Sequence, residues 1–141
     1  MARALGLDLG ERRIGVAVSD SGGRLATPYE VVQRSGSRER DHARLAELVA
    51  ETEAELLVVG LPLSLDGSMG PAAENVADEV ATLRTKLSVE VVTWDERLST
   101  VEAEHRLRAA GVRGKRKRRV VDQVAATVVL QSWLDAAQPH S

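Results

Sequence analysis

Two short apolar runs open the chain, residues 5–9 (Leu-Gly-Leu-Asp-Leu) and 14–18 (Ile-Gly-Val-Ala-Val), separated by Gly10-Glu11-Arg12-Arg13. Such runs with turn residues between them read as strands at hairpin spacing, so antiparallel neighbours are expected. Ser21-Gly22-Gly23 supplies a second turn and residues 26–32 a third strand, which completes an opening meander. The period then lengthens. Across 37–52, Ala43, Leu45, Leu48 and Val49 recur at helical spacing with charge on the remaining positions. Residues 56–60 (Leu-Leu-Val-Val-Gly) are apolar without alternation, as expected of a strand buried on both faces. Residues 71–87 form a second helix with Pro71 at its permissive first turn, and 89–94 another strand. Ser99 and Glu102 make a capping box for a third helix that Gly111 stops after residue 110. Residues 120–137 form the last helix. The order β-β-β-α-β-α-β-α-α demands parallel strands with right-handed crossovers after the meander. The expected fold class is α/β, a five-stranded mixed sheet with helices on both faces. It forms one domain over 1–138, with 139–141 as a tail.

Composition narrows the chemistry. At 141 residues the chain can bury about two-thirds of its unfolded surface. Its apolar and charged fractions are ordinary, which excludes disordered and fibrous classes. The chain has no cysteine, which removes disulfides, zinc–thiolate sites and thiol nucleophiles and suits a cytoplasmic location. The N-terminus lacks a signal-peptide core, and the longest apolar stretch, around 56–63, is too short to span a bilayer. No membrane partner is expected. Charge is distributed unevenly: six of the 19 basic residues fall within 113–119 (Arg-Gly-Lys-Arg-Lys-Arg-Arg), so the rest of the chain is net acidic. A concentrated cationic strip points to a polyanion contact, with a solvated loop as the plainer alternative.

Three acidic positions stand out. Asp8 sits in an apolar strand, where aspartate is disfavoured unless it has a partner or a task. A turn acid satisfied by nearby backbone N–H groups is the alternative. Asp95 and Glu96 end the last strand, and ligands of α/β sheets bind beyond the carboxyl ends of strands. The pair is therefore expected to share a crevice with Asp8, although a helix dipole could account for one of the two acids. Spacing leaves open which of them faces the crevice. Asp122 falls on a helix face with Ala125, Ala126, Val129 and Trp133, small enough in part for close approach to the sheet. Three acids from distant elements suit a hard divalent cation, which takes oxygen ligands. His42, His105 and His140 are scattered and read as surface residues. A carboxylate cluster beside a basic strip matches metal-dependent phosphodiester cleavage. With only Tyr29, Trp94 and Trp133 as aromatics, base-stacking recognition is disfavoured.

Several motifs occur in order: Leu7-Asp8-Leu9-Gly10 with Arg13-Ile14-Gly15-Val16-Ala17; Gly60-Leu61-Pro62-Leu63 with Asp66-Gly67-Ser68; Asp95-Glu96-Arg97-Leu98-Ser99-Thr100; and Asp122 with Ala125-Ala126. Together they resemble the YqgF/RuvX family along essentially the whole chain. The resemblance implies an RNase H-like fold related to the RuvC Holliday junction resolvases. It further implies a metal-dependent endonuclease acting in 5′-end processing of pre-16S rRNA during ribosome biogenesis. By motif, Asp8, Glu96 and Asp122 become the catalytic acids holding one or two Mg²⁺ or Mn²⁺ ions; the resemblance alone selects Glu96 over Asp95. Arg97 would contact the scissile phosphate or else pair with Asp95 or Glu96. Lys115, Arg116, Lys117, Arg118 and Arg119 would grip the nucleic-acid backbone without reading sequence. The loop 60–70 either shapes the crevice or is a simple Pro/Gly turn.

Three other functions remain in view. A junction resolvase acting on branched DNA would need a homodimer for symmetric cutting, whereas an RNA nuclease can be a monomer. A nucleic-acid-binding module without catalysis would keep the basic strip alone. A nucleotide-binding ATPase-like domain would need a second domain and a second phosphate loop, for which this chain has no room.

Overall fold

The computed structural model describes residues 3–98 and 121–138, with the side chains of the last helix described from residue 124. The elements are β1 (Ala4–Leu9), β2 (Arg13–Ser19), β3 (Ala26–Gln33), α1 (Arg38–Thr52), β4 (Leu56–Leu61), α2 (Pro71–Lys86), β5 (Glu90–Asp95), a single 3₁₀ turn (Glu96–Leu98) and α3 (Val121–Ala137). The helix expected over 99–110 lies outside the described residues.

The five strands form one sheet in the order β3-β2-β1-β4-β5. The two hairpins are antiparallel, whereas β1–β4 and β4–β5 are parallel. The mixed α/β sheet with helices on both faces is therefore as expected. Its central strand is β1, and the carboxyl ends of β1, β4 and β5 share one edge of the sheet.

Strand alternation sends successive side chains to opposite faces. Leu5, Leu7 and Leu9 of β1 join Ile14, Val16, Leu57, Val59 and Val91 beneath α1 and α2, where Leu45, Leu48, Val76, Val80 and Leu83 close the core. Helix α1 starts on Ser37, whose hydroxyl accepts from the Arg40 N–H at 3.3 Å. Helix α2 starts on Gly70, with Pro71 in its first turn.

The opposite face is lined with small residues. Ala4, Ala17, Ala26 and Val58 meet Ala126, Val129, Leu130 and Leu134 of α3. Gly6 belongs to this face. A Cβ there would lie 2.6 Å from Leu130 Cβ and 2.8 Å from the Ala126 carbonyl oxygen, so only glycine lets the helix settle this close. The stripe centred on Ala126, Leu130 and Leu134 is rotated from the expected one. Trp133 packs at its border, half-buried against this cluster. Gln131 fixes the helix along its length, accepting from Ala26 N–H at 2.9 Å and donating to Arg24 O at 2.9 Å. Gln138 donates to Gly23 O at 2.7 Å. Helix α3 thus runs antiparallel to β1, with its first turn directed to the sheet edge where β1 ends.

One expectation is overturned. His42 is not a surface residue: it is 1% exposed, on the inner side of α1 against Glu79 of α2. Its charged neighbours in sequence conceal a partner 37 positions away.

Candidate metal-binding active site

Asp8 is the penultimate residue of β1 and is half-buried. Alternation puts it on the same face as Ala4 and Gly6, the face covered by α3. Its carbonyl accepts from Gly10 N–H at 3.1 Å, which begins the turn to β2.

Glu96 reaches the same place from the far side. β5 ends at Asp95 and the chain tightens at once into the 3₁₀ turn, so strand alternation stops between the two acids. The Glu96 side chain then folds over Gly60 of β4. A Cβ on Gly60 would stand 2.7 Å from Glu96 Oε1, 3.1 Å from Glu96 Cγ and 3.0 Å from Val129 Cγ2. The missing side chain of Gly60 is therefore the space that Glu96 occupies, between β5 and β1 and beneath α3. Burial raises the Glu96 carboxyl above its ordinary value, and the negative charges of Asp8 and then Asp95 raise it further.

Asp95 has a different fate. Arg97 Nε lies 3.1 Å from both Asp95 oxygens, Arg97 Nη2 donates to Oδ2 at 2.7 Å, and Arg97 N–H donates to Oδ1 at 2.9 Å. This fork holds the Asp95 carboxyl below its ordinary value, Arg97 being the cause. Arg97 Nη1 also donates to Leu65 O at 3.1 Å and so ties the loop after β4 to the end of β5. That loop is a built turn: Asp66 Oδ1 accepts from Ser68 N–H at 2.9 Å and Ser68 Oγ–H at 2.6 Å, and Ser64 N–H donates to Ser68 O at 2.9 Å. Of the two roles open to Arg97, the structure shows the pairing with Asp95.

α3 is joined to the same corner. Trp94 Nε1–H donates to Ser132 Oγ at 2.9 Å, and Ser132 Oγ–H donates to Leu98 O at 2.7 Å. Position 122 lies four residues, about 6 Å of helix rise, before Ala126 on the same row of the helix, toward the carboxyl end of β1. Nothing is described of its side chain, nor of residues 115–119. Among the described residues no group of three or more acidic or histidine side chains forms a complete metal cage. What they provide is a like-charged carboxylate pair, Asp8 and Glu96, at the mouth of three parallel strands. An all-oxygen donor set in which one acid resists ionisation fits a hard divalent cation, which would relieve the repulsion.

A family model described as "RuvX: Holliday junction resolvase" matches residues 2–136. The chain belongs to the RuvX family. Relatives include proteins called "Putative pre-16S rRNA nuclease" in three bacteria. The Mycobacterium sp. (strain KMS) protein is 51% identical, over 94% of this chain and 79% of its own length. The Myxococcus xanthus protein is 50% identical, over 97% and 90%. The Desulforudis audaxviator protein is 44% identical, over 95% and 94%. Among solved structures, Thermus thermophilus RuvC in complex with Holliday junction substrate superposes with a TM-score of 0.68 at 19% identity, over 96% of this chain and 95% of that one. The likeness establishes a RuvC-like, RNase H-type fold for this RuvX chain.

Two contributors to the RuvX corner escaped the sequence reading. Gly60 read only as the end of a strand and the start of a loop motif, and Ser132 carried no signal of its own. Only contacts across the sheet reveal that the first clears room for Glu96 and the second ties α3 to β5.

Proposed function

We propose that this chain is a metal-dependent endonuclease that hydrolyses phosphodiester bonds, with the 5′ end of pre-16S rRNA as its substrate. The observation that carries this reading is the Glu96 side chain lying across Gly60 toward Asp8, at the carboxyl end of the parallel strands. The names of relatives at 44–51% identity support the choice of RNA.

Asp8, Glu96 and Asp122 would hold one or two Mg²⁺ or Mn²⁺ ions, which would supply an activated water and neutralise charge on the departing oxygen. Asp8 is presented by β1, the central strand of the sheet. Burial and the charge of Asp8 hold the Glu96 carboxyl above its ordinary value, and a cation beside it would favour the ionised form. Arg97 braces the corner by fixing Asp95 away from that pair and by holding the loop through Leu65 O. Lys115, Arg116, Lys117, Arg118 and Arg119 contact the phosphate backbone, so affinity falls with salt.

A second reading, cleavage of branched DNA, is favoured by the description of the matching family model. Purified protein would be assayed with Mn²⁺ on a pre-rRNA mimic and on a four-way junction, with mass in solution measured alongside. Cleavage of the RNA alone by a monomer supports the first reading; junction cleavage by a dimer supports the second. If neither substrate is cut while RNA is bound, the chain is a binding module and the catalytic proposal falls.

A further inference from the structure

Beneath the other face of the sheet lies a buried ionic cluster that the proposed chemistry does not use. Arg34 follows the end of β3 and forks onto Glu79 of α2, with Nη1 to Oε2 at 2.8 Å and Nη2 to Oε1 at 2.9 Å. His42 of α1 meets the same Glu79 Oε2 at 2.7 Å through Nε2. A carboxylate only accepts, so Nε2 carries the proton in this contact. Among the described residues the buried His42 Nδ1 has no hydrogen-bond partner, and the ring is tied to Glu79 through Nε2. Neighbouring Asp41, also buried, accepts from Ser35 N–H at 3.0 Å and fixes the chain just after Arg34. Burial pushes the Glu79 carboxyl up, and the hydrogen bonds from Arg34 and His42 more than offset this, leaving it below its ordinary value.

The third nitrogen of Arg34 points elsewhere. Nε donates to Gly10 O at 2.9 Å, and Arg34 N–H donates to Arg12 O at 2.9 Å. Arg34 therefore holds the turn between β1 and β2 at two carbonyls, starting two residues after Asp8. Stability alone does not account for the cluster, because well-packed apolar residues often replace buried ion pairs at no loss. Apolar residues could not donate to Gly10 O. A guanidinium fixed at two nitrogens by Glu79, itself fixed by His42, can do so from one rigid position.

We propose that Arg34, locked by Glu79 and His42, is a positioning residue that sets the Gly10–Arg13 turn and through it the direction of Asp8. Its effect on the metal site rests on the reading of Asp8 as a ligand; its effect on the turn does not. Amide hydrogen exchange and Mn²⁺ calorimetry on the full chain separate the two. Arg34→Gln and Glu79→Gln are expected to speed exchange of the Gly10–Arg13 amides roughly tenfold while β4 stays protected. They are also expected to weaken Mn²⁺ binding by about 10- to 100-fold, the range typical of lost outer-sphere support. Leu57→Ala, which thins the core at the far end of β4, should lower the melting temperature without changing Mn²⁺ affinity. A triple apolar variant, Arg34→Met, His42→Leu and Glu79→Leu, should keep its melting temperature yet show the same loosened turn and weakened Mn²⁺ binding. Unchanged exchange at Gly10–Arg13 overturns the proposal. Faster exchange with wild-type Mn²⁺ affinity also overturns it, because the cluster then serves the fold alone. A wild-type protein that binds no Mn²⁺ sinks the metal reading of Asp8 instead, and the exchange data still decide whether Arg34 sets the turn.

Discussion

On one face of the sheet, α1 and α2 rest on Leu5, Leu7, Ile14, Leu57 and Val59; on the other, α3 rests on Ala4, Gly6, Ala17 and Val58. Both interfaces are apolar and closely packed, but they differ in the size of the residues between helix and strand. The large side chains stand α1 and α2 off the sheet and supply most of the buried volume. The small ones let α3 come down almost onto the backbone of β1, within van der Waals limits at Gly6. The first face can change one aliphatic residue for another and survive. The second fixes where the start of α3 and the Glu96 side chain stand relative to Asp8, so a methyl group there displaces the proposed site. Volume on one face serves stability; its absence on the other serves geometry.

The comparison can be broken most sharply at Asp8. Asp8→Asn should lower metal-dependent cleavage by about 10³-fold, since lost charge stabilisation of several kcal/mol scales tenfold per 1.36 kcal/mol. In metal-free protein it should bring the Glu96 carboxyl closer to its ordinary value, because the repulsion from Asp8 is relieved. Steady-state cleavage and an NMR pH titration of Glu96 together check this; full activity would return Asp8 to the role of a turn residue. On the large-residue face, Leu57→Ala should cost roughly 2–5 kcal/mol in denaturant unfolding. Specific activity of the folded fraction should stay at the wild-type level.

Gly6→Ala should cost less, roughly 1–3 kcal/mol by overpacking against Leu130 and the Ala126 carbonyl. Per unit of lost stability, however, it should reduce cleavage far more than Leu57→Ala does. Equal losses of activity per kcal/mol in the two variants would erase the distinction between the faces.

The smallest effect concerns protons. Glu96 has a raised pKa in the folded state, so in metal-free protein its contribution is most favourable below its ordinary value of 4.5 and is lost as pH rises through the raised value. Glu96→Gln should therefore stabilise the metal-free chain at neutral pH and lose that advantage below the ordinary value. Mn²⁺ affinity of the wild type should climb with pH across the same window, because the cation must displace the Glu96 proton. Denaturant titrations and calorimetry at several pH values test both signs. A Glu96→Gln variant less stable than wild type at neutral pH would mean that Glu96 has a stabilising partner.

Much of this was legible in the chain. Hydrophobic period alone gave the meander, the doubly buried β4 and helices α1, α2 and α3 close to their observed limits, because each element repeats its pattern over several residues. The acids of the corner were also visible, as charges placed where strands end. The division between Asp95 and Glu96 was legible only through the family resemblance and not from spacing. Alternation fails when a strand passes directly into a 3₁₀ turn, and what separates the two acids is the grip of Arg97 on one and the hollow over Gly60 for the other. His42 was misread for a related reason: its partners, Glu79 and through it Arg34, lie on other elements.

By itself, then, the sequence determined the order and type of the elements, the small residues that admit α3, and the acids at the strand ends, since these depend on local spacing and residue size. Only the tertiary structure decided which carboxylate meets Asp8, and which buried charges support the turn beside it. Those outcomes depend on desolvation and on hydrogen bonds between residues tens of positions apart, which no local pattern records.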